Sequence, residues 1–257
     1  MFSLMNVKLR RNEILKLINN DKTVLVNDLA KRFLVSKITI RRDLKYLEAQ
    51  GLIKIHYGGA SVLSGNSKET SYDIKKGLEQ AYKNKIAKEA CKIVQNGNVI
   101  ILDCGTTTSE MVEYLNEKDI TIITNNYMVP KLIRNFDRVK LILLGGEYDR
   151  KSNGVVSSKT ILDVENYHAD FAFISTQGIS EYGLTVPTQT DCDVKKSLCK
   201  SAKRTILILD SSKFDHDFSC KFLNINELDM IITDERITDY NKEMIKTQKI
   251  PLIIVHK

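Results

Sequence analysis

Apolar residues along this chain follow two different rhythms. Over the first 57 residues they recur at helical spacing: Ile14, Leu17 and Ile18, then Leu29, Ala30 and Phe33, then Ile40, Leu44 and Leu47. The spacing predicts three short helices. The third follows a tight turn at Leu34-Val35-Ser36, with Ser36 as its N-cap and Gly51 as the glycine that ends it. Its apolar stripe is Ile40, Leu44 and Leu47; Ile38, Arg42 and Lys45 point the opposite way, with Thr39 and Arg41 on the flanks. Residues 52–57 read as a hairpin strand, and Gly58-Gly59 closes the unit.

Beyond a glycine- and serine-bearing stretch at 58–71 the rhythm changes. Seven short, nearly continuous apolar runs appear at 99–102, 120–123, 141–144, 171–174, 206–209, 230–232 and 252–255. Strands covered on both faces need such runs, as in a parallel sheet. Helical patterns lie between several of them, at 81–95, 107–115, 127–135 and 193–202. The chain thus reads as an α/β protein: a helix-turn-helix head with a wing (1–57), a linker (58–71) and a doubly wound α/β domain (72–257). Small and polar residues gather just after the runs: Asp103, Thr124-Asn125-Asn126, Gly145-Gly146-Glu147, Ser175 to Gly178, and Asp210 to Lys213. In open α/β sheets ligands bind at the carboxyl ends of the strands, so a ligand crevice is expected there.

Composition narrows the class. At 42% hydrophobic and 28% charged residues the chain has the makeup of a globular protein. Its longest apolar runs are four or five residues, against about 20 for a membrane span. Met1 to Met5 is too short for a leader core before Lys8, Arg10 and Arg11, so a cytoplasmic protein without a membrane partner is expected. Five cysteines with no CxxC spacing indicate neither disulfides nor zinc, and no cofactor is implied. Charge is more telling. Residues 1–60 carry 12 Lys and Arg against 5 Asp and Glu, whereas residues 61–257 carry 27 of each. The whole formal charge of +7 therefore sits on the head, as expected for a module that binds a polyanion.

A helix presenting Ser36, Lys37, Thr39, Arg41, Arg42 and Lys45, followed by Lys54 on the hairpin, has the chemistry for double-stranded DNA. Arginine can read guanine edges, and lysine can neutralise phosphates. The plain alternative, a solvated charged face on a protein-docking module, gives no reason for a single sign. The string from Val35 to Leu44, with Ser36-x-x-Thr39-Ile40-Arg41-Arg42-Asp43-Leu44, followed by Gly51-Leu52-Ile53 and Gly58-Gly59-Ala60, resembles the signature of DeoR-type transcriptional regulators. The wing departs from that family, which usually has a basic residue and a histidine roughly where Ile55 and Tyr57 stand; His56 is shifted by one.

The same resemblance extends along the second domain. Asp103-Cys104-Gly105-Thr106-Thr107-Thr108 leads from a strand into a helix, with Thr107 and Glu110 spaced as a capping box and three hydroxyls beside free N–H groups. It is similar to a segment of the DeoR sensor domain, which is related in fold to ribose-5-phosphate isomerases. Thr124-Asn125-Asn126, Gly145-Gly146, Gly178, Gly183 and Asp210-Ser211-Ser212-Lys213-Phe214 resemble further family segments in the right order. The resemblance implies a phosphorylated-sugar effector, with its phosphate near Gly105–Thr108 and Lys195 and its hydroxyls near Asn125 and Asp103. It also implies repression of sugar-metabolism genes, and reading of a repeated DNA site implies a homodimer or homotetramer. Asp191 stands where the family has a glutamate before that lysine.

Two other functions fit less well. A sugar-phosphate isomerase needs a carboxylate base, and the comparable loop, Thr176 to Glu181, has only Glu181. A nucleotide-binding regulator would be expected to carry GxGxxG or a Walker motif, and neither occurs.

Overall fold

The computed structural model describes residues 7–49, 52–62 and 72–256, and the chain divides into two compact units, Met1–Leu78 and Glu79–Lys257. Gly51 and residues 63–71 of the expected linker lie outside the described residues.

The first unit runs α1 (Val7–Asp21), β1 (Thr23–Leu25), α2 (Val26–Phe33), α3 (Lys37–Ala49), β2 (Ile53–His56), β3 (Gly59–Val62) and α4 (Tyr72–Gly77). Ile14, Ile18, Leu29, Ile40, Leu44, Leu47 and Ile53 form its core, each almost wholly buried. Burial of each such side chain stabilises by about 1.5–3 kcal/mol. Ion pairs add direction to this packing. Asp43, 1% exposed, accepts from Arg10 Nε at 2.7 Å and Arg11 Nε at 2.8 Å, which ties α3 to α1. The aspartate of the Arg41-Arg42-Asp43 signature is therefore structural.

Two expectations change here. Gly59–Val62 is not linker: it is the middle strand of an antiparallel sheet ordered β1-β3-β2. A Cβ on Gly59 would lie 2.2 Å from the Val24 carbonyl oxygen, so the glycine permits close strand approach rather than breaking structure. Gly58, at φ +82°, makes the turn. Residues 72–78, expected at the start of the second domain, belong instead to the first unit. Asn12 Nδ2 donates to the Gly77 carbonyl at 3.0 Å, and Leu78 packs on the head core.

The second unit contains α5 (Gln80–Cys91), β4 (Val99–Leu102), α6 (Thr106–Met111), β5 (Ile120–Thr124), α7 (Val129–Leu132), β6 (Val139–Leu143), β7 (Tyr148–Asp149), β8 (Gly154–Val155), α8 (Ser158–Val164) and β9 (Ala169–Ile174). It continues with β10 (Gly178–Ser180), β11 (Gly183–Val186), α9 (Gln189–Lys200), β12 (Ala202–Ile208), β13 (Cys220–Leu223), β14 (Met230–Asp234), α10 (Asp239–Thr247) and β15 (Leu252–Val255). The seven apolar runs all enter one parallel sheet, ordered β15-β14-β12-β9-β4-β5-β6. Successive strand residues serve opposite faces: Ile101, Ile123 and Leu207 pack with Val194 and Leu198 of α9, whereas Ile100, Ile122 and Ile206 pack with Ile86 and Ala90 of α5. This is the doubly wound α/β arrangement.

The helical pattern at 127–135 yields only the single turn of α7, with Pro130 in it. The antiparallel sheet β10-β11-β13 and the hairpin β7-β8 have strands of two to four residues, too short for any period to show. Among the described residues no helix is long and apolar enough to cross a membrane.

Candidate functional site

In the first unit, the Ser36 hydroxyl accepts from Thr39 N at 3.1 Å and lies 2.9 Å from the Thr39 hydroxyl, so Ser36 starts α3 as the sequence requires. Leu34, left-handed at φ +52°, closes α2 ahead of it. With Asp43 and the apolar stripe turned inward, Lys37, Arg41, Arg42 and Lys45 stand exposed on α3. None of these four forms an ion pair among the described residues. Lys54 is exposed on β2, and the hairpin tip carries exposed His56 and Tyr57. Glu48 Oε1 accepts from Ile55 N at 2.7 Å, which anchors the hairpin to α3.

In the second unit, topology picks out one location. The chain leaves β4 toward β5 and β6, then returns to β9 on the other side of β4 and moves outward through β12, β14 and β15. The strand order therefore reverses between β4 and β9, where ligands of doubly wound sheets bind. Asp103 follows β4 and Ser175 follows β9. Lys195, brought in by α9, joins them: its Nζ donates to Asp103 Oδ2 at 2.5 Å and to the Ser175 carbonyl at 3.0 Å. The side chains of this ion pair are 5% and 0% exposed.

Asp103 also accepts from Gly105 N at 2.9 Å, Thr108 Oγ1 at 2.9 Å, Ser175 N at 2.8 Å and Ser175 Oγ at 3.0 Å. Burial pushes its carboxyl up, but Lys195, the Ser175 N–H and the Thr108 hydroxyl together hold it below the ordinary value. Burial alone would lower the Lys195 ammonium; Asp103, then Asp191 and Cys104, raise it overall. The sequence places Asp103 among hydroxyl-binding groups, but the structure commits its oxygens within the chain, where they fix Lys195 and the start of α6.

The capping box expected at Thr107 and Glu110 does not form. Gly105 is the N-cap of α6 and Asp103 receives its N–H, because a carboxylate two residues back reaches the turn better than Thr107 does. The threonines then divide. Thr108 donates to Asp103 and Ser109 to the Gly105 carbonyl, whereas the Thr106 and Thr107 hydroxyls have no hydrogen bond among the described residues.

Thr124 Oγ1 donates to the Leu102 carbonyl at 2.6 Å and accepts from Asn126 N at 3.0 Å. Asn126 Nδ2 reaches Ser109 Oγ at 2.8 Å and the Asp103 carbonyl at 3.2 Å. Both side chains thus clamp the ends of β4 and β5 together. Asn125 differs: its Nδ2 donates to the Val155 carbonyl, but its buried Oδ1 has no hydrogen-bond partner among the described residues. Such a bare acceptor costs about 1–3 kcal/mol.

The predicted glycines make room for neighbours. A Cβ on Gly146, at φ +141°, would meet Ser157 Oγ at 2.3 Å; one on Gly178 would meet the His216 carbonyl oxygen at 2.2 Å. Gly145 donates to Asp163 and accepts from Thr160, which seats α8. Lys213 is half-buried beside Asp210, whose carboxyl burial pushes up and Lys213, Lys83 and Ser212 hold below its ordinary value.

Sequence reasoning placed Ser175 at a strand end without giving it a role, and missed Lys83. Lys83 is 2% exposed on α5. Its signal was available: 83, 86, 87 and 90 share one helical stripe, and the lysine occupies an apolar position of it. Glu181, the candidate isomerase base, lies exposed in the β10–β11 turn, where the Tyr240 hydroxyl donates to it.

The DeoR-like helix-turn-helix domain matches residues 10–66, and the DeoR C terminal sensor domain matches residues 78–235. A protein of Escherichia coli O157:H7 named for transcription of the aga operon is 32% identical over 96% of this chain and 93% of its own. The transcriptional repressor GlcR of Bacillus subtilis is 31% identical over 86% of each. The glycerol-3-phosphate regulon repressor of Escherichia coli K12 is 29% identical over 88% of this chain and 90% of its own. Ribose 5-phosphate isomerase A of Methanocaldococcus jannaschii aligns over 52% of this chain and 54% of its own, at 22% identity and a TM-score of 0.38. Two family domains in sequence, spanning nearly the whole chain, settle its membership: it belongs to the DeoR family of transcriptional regulators.

Proposed function

We propose that this chain is a sequence-specific DNA-binding repressor of sugar-metabolism genes, released from DNA by a phosphorylated sugar held at the strand ends of the second unit. One observation carries the first half: α3 exposes Lys37, Arg41, Arg42 and Lys45 without ion-pair partners among the described residues, on the part of the chain that holds all the net charge. Cations kept out of internal ion pairs remain available for phosphates and guanine edges. Ser36, Thr39 and Lys54 flank that face. Two heads in a homodimer or homotetramer would take successive major grooves of a repeated site.

For the effector, the switch point between β4 and β9 offers uncommitted hydroxyls on Thr106 and Thr107 and the first-turn N–H groups after Gly105, and the neighbouring end of β5 adds the bare Asn125 Oδ1. Donors and acceptors gathered at the carboxyl ends of neighbouring strands suit a sugar phosphate. Lys195, Lys213 and the buried Lys83 supply positive charge to that end of the sheet. Thr124, Asn126, Gly145, Gly146 and Gly178 shape it, and Asp103 positions Lys195. The names of relatives support the ligand class: one refers to the glycerol-3-phosphate regulon, another to the lactose phosphotransferase system. The effector releases DNA only if it binds the DNA-incompetent arrangement more tightly.

The test separates the two halves. Arg42→Ala should weaken operator binding and reduce its salt slope by about one, with effector affinity unchanged. Thr106→Val with Thr107→Val should keep operator binding and abolish its response to sugar phosphates. Loss of both activities in both variants would overturn the assignment of separate DNA and effector sites.

A further inference from the structure

We propose that Ile38 reads the methyl group of a thymine in the major groove, as a specificity-determining residue of the DNA contact; the inference rests on the DNA reading above. Ile38 is the second residue of α3 and is 71% exposed. It shares its face with Arg41 and Arg42, three and four residues on, and with Lys45 one further turn along. The core is on the opposite side, where Ile40, Leu44 and Leu47 are at most 1% exposed, so Ile38 contributes nothing to it.

Local stability gives no reason for an isoleucine there. A β-branched residue is a poorer helix former than alanine, and an aliphatic chain in water on a cationic face gains no burial. Leu34 is equally exposed, but its left-handed backbone places it in the closing turn of α2, not on the helix.

The first residues of a recognition helix meet base edges. Those edges are polar except for one apolar landmark, the C5-methyl of thymine, which aliphatic side chains contact. Arginines on the same face address phosphates or guanine, and Ile38 is left with the one group that they do not recognise.

The test starts from the duplexes that the full-length chain enriches from a random-sequence library. In the best of them, each thymine is replaced in turn by uracil, which removes only the methyl. Affinities are measured by fluorescence anisotropy for wild type, Ile38→Ala and Ile38→Val. Wild type should lose about fourfold at one uracil position per half-site, the value of one buried methyl. Ile38→Ala should bind the thymine duplex more weakly and show no further loss at that position, with the wild-type salt slope. Ile38→Val should retain part of the coupling. Because Ile38 is exposed, the circular-dichroism melting curve of both variants should match wild type. The inference is overturned if every uracil duplex costs Ile38→Ala as much as it costs wild type. A chain that enriches no duplex at all would instead overturn the DNA reading itself.

Discussion

Lys195→Met is the perturbation that most sharply tests how the second unit is built. The wild-type pair is sealed, with Lys195 and Asp103 side chains 5% and 0% exposed at 2.5 Å. Methionine follows the lysine stem as far as Cε without the ammonium, and its thioether can pack toward the Phe222 ring that Lys195 faces at 5.7 Å. What remains is a buried carboxylate without its cation. Removing one member of a buried pair costs about 3–5 kcal/mol. In a unit of this size that lowers the melting temperature by roughly 6–20 °C.

The pH dependence should invert as well. In wild type the Asp103 carboxyl is held below its ordinary value, so its stabilisation is present at neutral pH and lost as pH falls below about 4. Lys195 is raised, so its contribution persists until the pH climbs past the ordinary lysine value of about 10.4. Without Lys195, burial dominates and raises the Asp103 carboxyl. The variant should then gain stability on going from pH 7 to pH 5, where wild type does not. Calorimetry of the full chain at both pH values reads this out, and Lys195→Met with Asp103→Asn should recover more than half of the loss. A single variant within about 1 kcal/mol of wild type at pH 7 would show that the buried pair does not hold the second unit together in this way.

Three further outcomes follow from particular contacts. Asp43→Ala removes the buried carboxylate to which Arg10 and Arg11 both donate, and should destabilise the first unit by at least about 1.5 kcal/mol, seen as an earlier denaturant transition with the second unit's transition unmoved. Gly178→Ala drives a Cβ toward the His216 carbonyl at 2.2 Å and should destabilise the second unit by about 1–3 kcal/mol, measured by urea unfolding. Among the thiols, Cys91 and Cys199 are buried and pushed up to about 12, whereas Cys220 is half-exposed; a disulfide reagent at pH 8 should modify Cys220 first and those two only at the unfolding rate.

The sheet was legible because its information is local. Runs such as Val99-Ile100-Ile101-Leu102, short and rich in β-branched residues, favour a strand, and all seven entered the parallel sheet. Ser36 was legible for the same reason, since an N-cap reaches only three residues ahead. The site was legible as a list and not as an arrangement. Asp103 and Lys195 are 92 positions apart, and no local pattern says that they meet. Nor does spacing distinguish Thr106 and Thr107, whose hydroxyls stay uncommitted, from Thr108, which turns back to Asp103. Gly58-Gly59 misled in the opposite sense: a glycine pair reads as a breaker, but the neighbour that requires Gly59 is Val24, on a strand too short to announce itself.

Coupling of DNA release to a phosphorylated sugar is tested by fluorescence anisotropy of the full-length chain on its selected duplex at fixed salt, titrated with a panel of sugar phosphates and the matching free sugars. The expected result is specific binding that one sugar phosphate releases and its unphosphorylated form does not. Tight, specific binding that no member of the panel changes, or release by the free sugar alone, would contradict it.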